Sequence, residues 1–256
     1  DLDINASFEI YEKFDTSNSD RYEFILPSYD LNKNINNFDS LKGTLSFNSS
    51  GSQHLYNTNI QEAKIINNLF YESEDKFLTN GIKNNYNILI KNVNTDGKNS
   101  TKYKDKLQAE LLSSFIFESS YPLLREGIDF NNYLTPKISL RYSPNSMKNL
   151  KSENRRIDIN NIFSLDRIGS ADTVESGQSL TIGTEYKKSR KKGDLPEDLP
   201  QNVFELSLAT VFRDEINENI PTTSSLGNKS SDVVGHIGIS PNDFFNTSYN
   251  FSIDNN

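Results

Sequence analysis

Two histidines, His54 and His236, have side chains suited to proton transfer, and they lie far apart in the sequence. Neither is accompanied by a cysteine or by a Ser-x-Gly nucleophile elbow, and a catalytic pair requires a spatial proximity that the sequence does not show. We therefore interpret both as solvated histidines or as side chains that line an aqueous lumen. No enzyme activity is predicted, and a Ser–His hydrolase stays open as an alternative.

Four charged residues ahead of a predicted strand could form an ion network or a metal site. Asp166 and Arg167 could brace a barrel from inside or contact a partner, and the competing interpretation is a local salt bridge, because exposed pairs are common and individually weak. Asp172 and Glu175 shortly precede Gly177, where a divalent-ion site competes with ordinary turn chemistry, which we prefer. Their spacing does not match an EF-hand loop, so we predict no metal and no cofactor.

Charge and composition exclude further classes of protein. The formal net charge is −8, and the longest basic cluster, Lys187 to Lys192, lies between a strand-like run and a loop, so nucleic acid is not a predicted partner. This cluster could meet phosphate groups or be a solvated loop. The chain has no cysteine, which excludes a disulfide framework and a thiolate metal site.

Alternation of apolar and polar residues is the dominant pattern, and it is clearest from Phe245 to Ile253, with further strong runs at Phe204–Phe212 and Leu134–Tyr142. A period of two predicts strands with one apolar face. The polar faces carry charges in mid-strand, which suits a watery lumen: Lys137, Arg141, Glu205 and Arg213. Weaker runs bring the total to about a dozen strands: 6–14, 21–26, 41–48, 58–70, 85–93, 107–119, 177–186 and 233–239.

The stretches between these runs are rich in residues that favour turns. We predict short turns at 48–51, 94–97, 143–146 and 240–243, and longer polar connections at 97–106, 146–156, 187–201 and 214–231. Alternating short and long connections are typical of outer-membrane barrels. Residues 59–70 fit a helical face only loosely, so a strand is the preferred interpretation there.

A transmembrane barrel explains these strands better than a soluble β-sandwich does. Only 34% of the residues are hydrophobic, and no apolar run approaches the roughly 20 residues that a spanning helix needs. The strongest runs extend about nine residues, matching a tilted spanning strand, and aromatic residues such as Tyr133, Tyr142, Phe204 and Phe212 lie near their ends. We predict an all-β, antiparallel transmembrane β-barrel. Because no export signal is visible, residues 1–256 are predicted to be a single segment of a larger barrel.

Particular stretches resemble the barrel domain of the LptD, or organic solvent tolerance, family of lipopolysaccharide-assembly proteins. The most specific is Asn161–Tyr186, NIFSLDRIGSADTVESGQSLTIGTEY, which is similar to the family's aspartate–arginine element and the strand after it. Leu134–Asn145, LTPKISLRYSPN, is similar to the preceding strand. Phe204–Arg213 and Val233–Asp254 resemble the next hairpins, while residues 44–51 and 121–125 match less strongly.

This resemblance implies a function in the bacterial outer membrane. Such proteins insert lipopolysaccharide into the outer leaflet and work with an LptE-like lipoprotein plug inside the barrel. A periplasmic Lpt bridge delivers the substrate through an N-terminal domain outside this segment, and lipid A and membrane lipids contact the barrel. The family's disulfide cysteines have no counterpart in this sequence. A porin, a plugged receptor and a secreted β-sandwich adhesin are the alternatives.

Overall fold

The structure is a computed structural model, and it describes residues 2–14, 22–35, 42–56, 59–191, 201–242 and 244–254. Its regular structure is β throughout, apart from one short 3-10 turn at Ser225–Gly227. In the described residues the strands are β1 (Leu2–Glu12), β2 (Tyr22–Ile35), β3 (Gly43–Tyr56), β4 (Gln61–Ser73), β5 (Lys76–Phe77), β6 (Lys83–Lys98), β7 (Gln108–Ser120), β8 (Leu123–Glu126), β9 (Phe130–Ser143), β10 (Gly177–Arg190), β11 (Gln201–Arg213), β12 (Val233–Asn242) and β13 (Phe245–Ile253).

These 13 strands form one antiparallel sheet, which confirms the predicted fold class of a partial β-barrel. The strand order is β1-β2-β3-β4-β6-β7-β9-β10-β11-β12-β13, with β5 paired to β6 and β8 paired to β9. Strands that follow one another in sequence are thus mostly neighbours in space, as in an up-and-down barrel. Within the described residues, no helix has the length and hydropathy of a membrane span.

The chain divides into two compact units. The first comprises Asp1–Glu74, Asn87–Ser114 and Ala171–Thr173, and the second comprises Asp75–Tyr86, Phe115–Ser170 and Val174–Asn256. Each unit is described by itself below.

In the first unit, polar side chains form rows across neighbouring strands. Asn67 of β4 is the register partner of Ser49 on one side and of Asn92 on the other. Ser49 Oγ donates to Asn67 Oδ1 at 2.7 Å, and Asn67 Nδ2 donates to Asn92 Oδ1 at 3.2 Å. Such cross-strand pairs stabilise a sheet and help to fix its register.

These rows explain why two of the predicted turns are wrong. Residues 48–51 lie inside β3 and residues 94–97 lie inside β6. Pairing with strands on either side satisfies the backbone of β3 along its length, and this tertiary context outweighs the local turn preference of Asn, Ser and Gly. Of the candidate helix at 59–70, residues 61–70 belong to strand β4.

In strand β9 of the second unit, the exposed side chains are apolar and the buried side chains are polar. Ile138, Leu140 and Tyr142 point to one side and are 42, 54 and 52% exposed. Ser139 and Arg141 alternate with them and are only 1% and 2% exposed. This is the reverse of the arrangement in a water-soluble sheet, where the apolar face is buried.

The same apolar face extends across the neighbouring strands. Leu180 is the register partner of both Leu140 and Phe212, and Ile237 is the partner of Tyr249. Directly opposed residues of an antiparallel pair project on the same side, so these side chains form continuous rows. From Leu134 to Tyr142 the apolar band of β9 is about nine residues long, as a tilted strand needs to cross hydrocarbon.

Candidate functional site

Part of the connection between β9 and β10 folds back onto the polar face of the second unit. We call residues 144–170 and 174–176 the inner segment, and we call the strand face against which they pack the covered face. Apolar side chains from the inner segment share a core with strand residues and with the connection before β12: Met147, Leu150, Ile157, Ile162, Ile168, Ala209, Val211, Ile220, Leu226 and Val234. The predicted connection at 146–156 was therefore too short. The expectation that Arg141 and Arg213 face water is wrong, since both side chains are buried.

Local hydrogen bonds give the inner segment its irregular but ordered path. The Asp158 carboxylate accepts from the backbone N–H groups of Asn160 and Asn161 at 2.8 and 3.1 Å, in the manner of an Asx turn. Arg155 Nη1 donates to the carbonyl oxygens of Ile168 and Gly169 at 2.9 and 2.6 Å. The Arg155 side chain thereby ties together two parts of the segment that are 13 and 14 residues apart in sequence.

A row of polar side chains crosses three strands of the covered face beneath this segment. Ser179 of β10 is the register partner of Arg141 on β9 and of Arg213 on β11, so the three side chains project from the same side of the sheet. We call Arg141, Ser179 and Arg213 the arginine row. Thr181 follows Ser179 on the same face and is also buried.

Glu175 of the inner segment places its carboxylate among three guanidinium groups. Arg167 binds it with two hydrogen bonds, from Nε to Oε2 at 2.9 Å and from Nη2 to Oε1 at 2.5 Å. Arg213 Nη1 also donates to Oε1, and Arg141 Nη1 lies 3.8 Å from the same oxygen. All four side chains are at most 2% exposed, so this is a buried network rather than a surface pair.

Further donors and acceptors connect the network to the protein backbone and to strand hydroxyl groups. Arg141 Nε donates to the Leu165 carbonyl oxygen at 2.9 Å, and Arg213 Nη2 donates to the Ser176 carbonyl oxygen. Arg167 Nη2 donates to Ser179 Oγ at 2.7 Å. The network consequently fastens the inner segment to β9, β10 and β11 at one point.

Burial and charge act in opposite directions on the Glu175 carboxyl. Burial alone would raise its pKa, but attraction to Arg167 and Arg141, the Arg167 hydrogen bonds and attraction to Arg213 together lower the pKa to about 2. Glu175 is therefore ionised at every physiological pH. Three guanidinium groups around this carboxylate would repel a divalent cation, which argues against a metal ion bound by Glu175.

We expect the stabilisation from Glu175 to disappear under acid conditions. The folded-state pKa is about 2 and the ordinary value is 4.5, so the contribution is fully present above about pH 4.5 and is lost as pH falls towards 2. The lost free energy is at most about 3 kcal/mol. Urea unfolding of wild type and Glu175→Gln at pH 6 and pH 3 should show the difference between the two proteins shrinking at pH 3. An unchanged difference would show that the carboxyl does not titrate with folding.

The remaining predicted site residues are Asp166, Asp172 and Glu205, and of these Asp166 acts electrostatically on Arg141. Asp166 Oδ1 accepts from the Gly169 backbone N–H at 2.9 Å, and Arg167 pairs with Glu175. Asp172 belongs to the first unit, where it interacts electrostatically with Lys102 and Tyr103.

Glu205, the remaining predicted residue, lies on β11 and accepts from Asn202 Nδ2 at 2.6 Å. Sequence reasoning did not include Ser179 and Thr181, whose two-residue spacing on one strand was the available signal. It also missed the apolar core between the inner segment and the covered face, which the density of apolar residues between 157 and 168 could have indicated.

The two histidines have separate hydrogen-bond partners. His54 Nδ1 lies 2.7 Å from Glu23 Oε1 and its Nε2 lies 3.2 Å from Ser52 Oγ, while His236 Nδ1 lies 2.6 Å from Asn250 Oδ1. Glu23, His54 and Ser52 thus follow the order of a hydrolase triad. Ser52, however, is paired with both neighbouring strands, so its backbone N–H lies in the sheet rather than in an oxyanion hole.

The described part of the basic cluster at 187–192 belongs to the end of β10. Lys188 lies over the Phe130 ring at 4.5 Å, and Lys187 Nζ is 3.8 Å from a Glu185 oxygen. Lys192 is outside the described residues. Among those that are described, no group of three or more His, Asp or Glu side chains is placed to hold a metal ion.

An antiparallel sheet with an exposed apolar face and a buried polar face defines an outer-membrane β-barrel protein. The chain belongs to the LptD family, described as LPS transport system D, whose model matches residues 5–256. This confirms the resemblance found in the sequence. The family transports lipopolysaccharide, acts with other Lpt proteins in the Gram-negative outer membrane, and is a transport family rather than an enzyme family. No curated protein matches the sequence of this chain.

Proposed function

We propose that this chain is one segment of the outer-membrane translocon that inserts lipopolysaccharide into the outer leaflet. The observation that carries the proposal is the distribution of side chains in the second unit: Leu140 is 54% exposed while Arg141 beside it is 2% exposed. Hydrocarbon outside the sheet accounts for that pattern, whereas a soluble β-sandwich adhesin would leave this apolar face in water. The family match favours lipopolysaccharide over the substrates of a porin or a plugged receptor.

Residues 1–256 would act as a single piece of barrel wall, in the outer membrane of a Gram-negative bacterium and without catalysis of their own. The side of the wall on which the inner segment lies would face the lumen, where an LptE-like lipoprotein plug binds and the polar part of lipopolysaccharide passes. A periplasmic Lpt bridge would deliver lipid A through an N-terminal domain, and membrane lipids would cover the apolar face. The family match supports this set of partners.

Single cysteines along β13 should show which face meets lipid. The chain has no cysteine of its own, so each introduced thiol is a unique label there once any cysteine elsewhere in the parent protein is removed. In intact outer membranes, a water-soluble maleimide should label Ser248→Cys and Asn250→Cys several-fold faster than Tyr249→Cys and Phe251→Cys. A lipid-soluble reagent should reverse the order. Equal labelling of both faces would contradict the barrel wall.

The transport function is tested by depleting the parent protein in its own bacterium. The expected result is a loss of newly made lipopolysaccharide from the cell surface, measured with an antibody to its polysaccharide, while total lipopolysaccharide persists. Complementation with the wild-type gene should restore the surface signal. Unchanged surface lipopolysaccharide after depletion would reject the proposed function while leaving the barrel fold intact.

A further inference from the structure

The guanidinium groups around Glu175 carry more positive charge than their surroundings neutralise. Three guanidinium groups, from Arg141, Arg167 and Arg213, lie within 4 Å of a single carboxylate, that of Glu175. Asp166 adds a weaker electrostatic contribution at Arg141. Elsewhere on the covered face, the Glu185 carboxylate is already engaged by Lys137 Nζ at 2.5 Å. The row therefore has residual affinity for a further negative charge.

The two arginines of the row also have hydrogen-bond donors without a partner. Arg141 Nη1 and Nη2 and Arg213 Nε are buried and have no hydrogen-bond partner among the described residues. A carboxylate offers two oxygens, and those of Glu175 are already shared by Arg167 and Arg213. A phosphate group offers three terminal oxygens in a tetrahedral arrangement, and guanidinium groups bind such oxygens in pairs. The donors of the row thus match a phosphate better than they match the carboxylate that they hold.

The strands and the inner segment contribute unequally to this network. Arg167 and Glu175 both come from the inner segment and form a neutral pair, whereas Arg141 and Arg213 come from the strands. If the segment moves away, the Arg167–Glu175 pair takes no net charge with it and leaves the guanidinium groups of Arg141 and Arg213 with the hydroxyl of Ser179 between them. Such a row is a preformed oxyanion cradle on a rigid sheet.

We propose that the arginine row is a binding site for phosphate monoester groups, and that the Glu175 carboxylate occupies it as an internal stand-in while the inner segment is in place. The ligand class is an oxyanion, either the phosphate of a lipid headgroup or free phosphate. The lipid source rests on the proposed transport of a phosphorylated lipid, but the site itself does not. Exchange between Glu175 and a phosphate makes the inner segment a cap that the ligand displaces.

The test uses the full-length parent protein, purified in detergent, with Arg167→Ala and Glu175→Ala combined. This double variant removes the neutral pair, keeps the net charge and leaves space beside the arginine row. Inorganic phosphate at tens of millimolar should raise its melting temperature by about 3 °C or more, as expected for a ligand that binds only the folded state. Chloride at equal ionic strength should not, and wild type should respond less than the double variant.

Adding Arg141→Gln or Arg213→Gln should abolish the phosphate response, whereas Lys137→Gln, on the same face of β9, should leave it intact. Glu175→Ala alone provides a second readout, because phosphate present during refolding should restore the yield of folded, heat-modifiable protein. No response in either variant, or a response that survives loss of Arg141 and Arg213, overturns the proposal. These outcomes are independent of lipopolysaccharide transport in cells.

Two further probes distinguish the source of the oxyanion. Micelles containing lipid A with its phosphates should stabilise the double variant more than micelles of dephosphorylated lipid A, if a headgroup is the ligand. A response to inorganic phosphate without a difference between the two lipids would support the site and assign it a soluble oxyanion.

Discussion

The variant Glu175→Gln is expected to lose about 3–5 kcal/mol of unfolding free energy at neutral pH, because it leaves three buried guanidinium groups without their carboxylate. The loss should appear as a lower urea midpoint with an unchanged slope. Glutamine preserves the size of the side chain, so the effect measures the missing charge rather than a cavity. Arg167 would lose both of its bonds to a charged acceptor.

Glu153→Gln is the matched control for that measurement. Glu153 also binds an arginine, Arg155, at 2.5 Å and also lies in the inner segment, but its side chain is 40% exposed. An exposed pair contributes at most about 1 kcal/mol, so this variant should remain close to wild type. Similar losses in both variants would mean that burial does not distinguish the two ion pairs, and would remove the basis for regarding Glu175 as the attachment point of the inner segment.

The strands were predictable because their signal is local. The alternation from Phe245 to Ile253 predicted the bounds of β13 correctly, and the run at Leu134–Tyr142 predicted most of β9. The apolar faces of such strands must meet hydrocarbon, so composition and period together were enough to predict the fold class.

The arginine row was not predictable, because it depends on strand register. Arg141, Ser179 and Arg213 are far apart in sequence, and a shift of one residue in the pairing would turn either arginine to the opposite face. The charged residues themselves were identified as candidates, but their common partner was not. For Asp166 and Arg167 the sequence indicated an ion network or a local salt bridge without naming a partner, whereas the fold brings Glu175 to Arg167.

The inner segment was missed for a different reason. Its path from 144 to 170 has neither a helical nor a strand period, and only residues 146–156 of it were predicted, as a polar connection. Its order comes from tertiary packing against Val211 and Val234 and from side chains that bind backbone groups, such as Asp158 and Arg155. A dense group of isoleucines in an otherwise polar connection is the sequence signal that such a segment is buried.

Ile162→Ala is expected to loosen the inner segment by removing a side chain from the centre of its core. Ile162 is completely buried and shares the core with Val211, which is also completely buried. Truncating a buried isoleucine to alanine costs about 2–5 kcal/mol, since the surrounding side chains fill the cavity only in part. Because Ile162 lies in the segment and not in a strand, we expect the loss to appear as local release, with amide hydrogen exchange in residues 157–168 faster by tenfold or more.

Ile216→Ala provides the comparison, because Ile216 has the same side chain in a connection of the same unit but is 62% exposed. Its truncation should change exchange in residues 157–168 by less than about twofold. If the barrel strands exchange as fast as the segment in Ile162→Ala, the segment and the wall unfold together, and a cap that detaches from an intact sheet is excluded. Fast exchange in the segment alone, with β9 to β11 protected, would instead show that the covered face can be uncovered while the wall stays folded. A ligand that competes with Glu175 for the arginine row must drive this step.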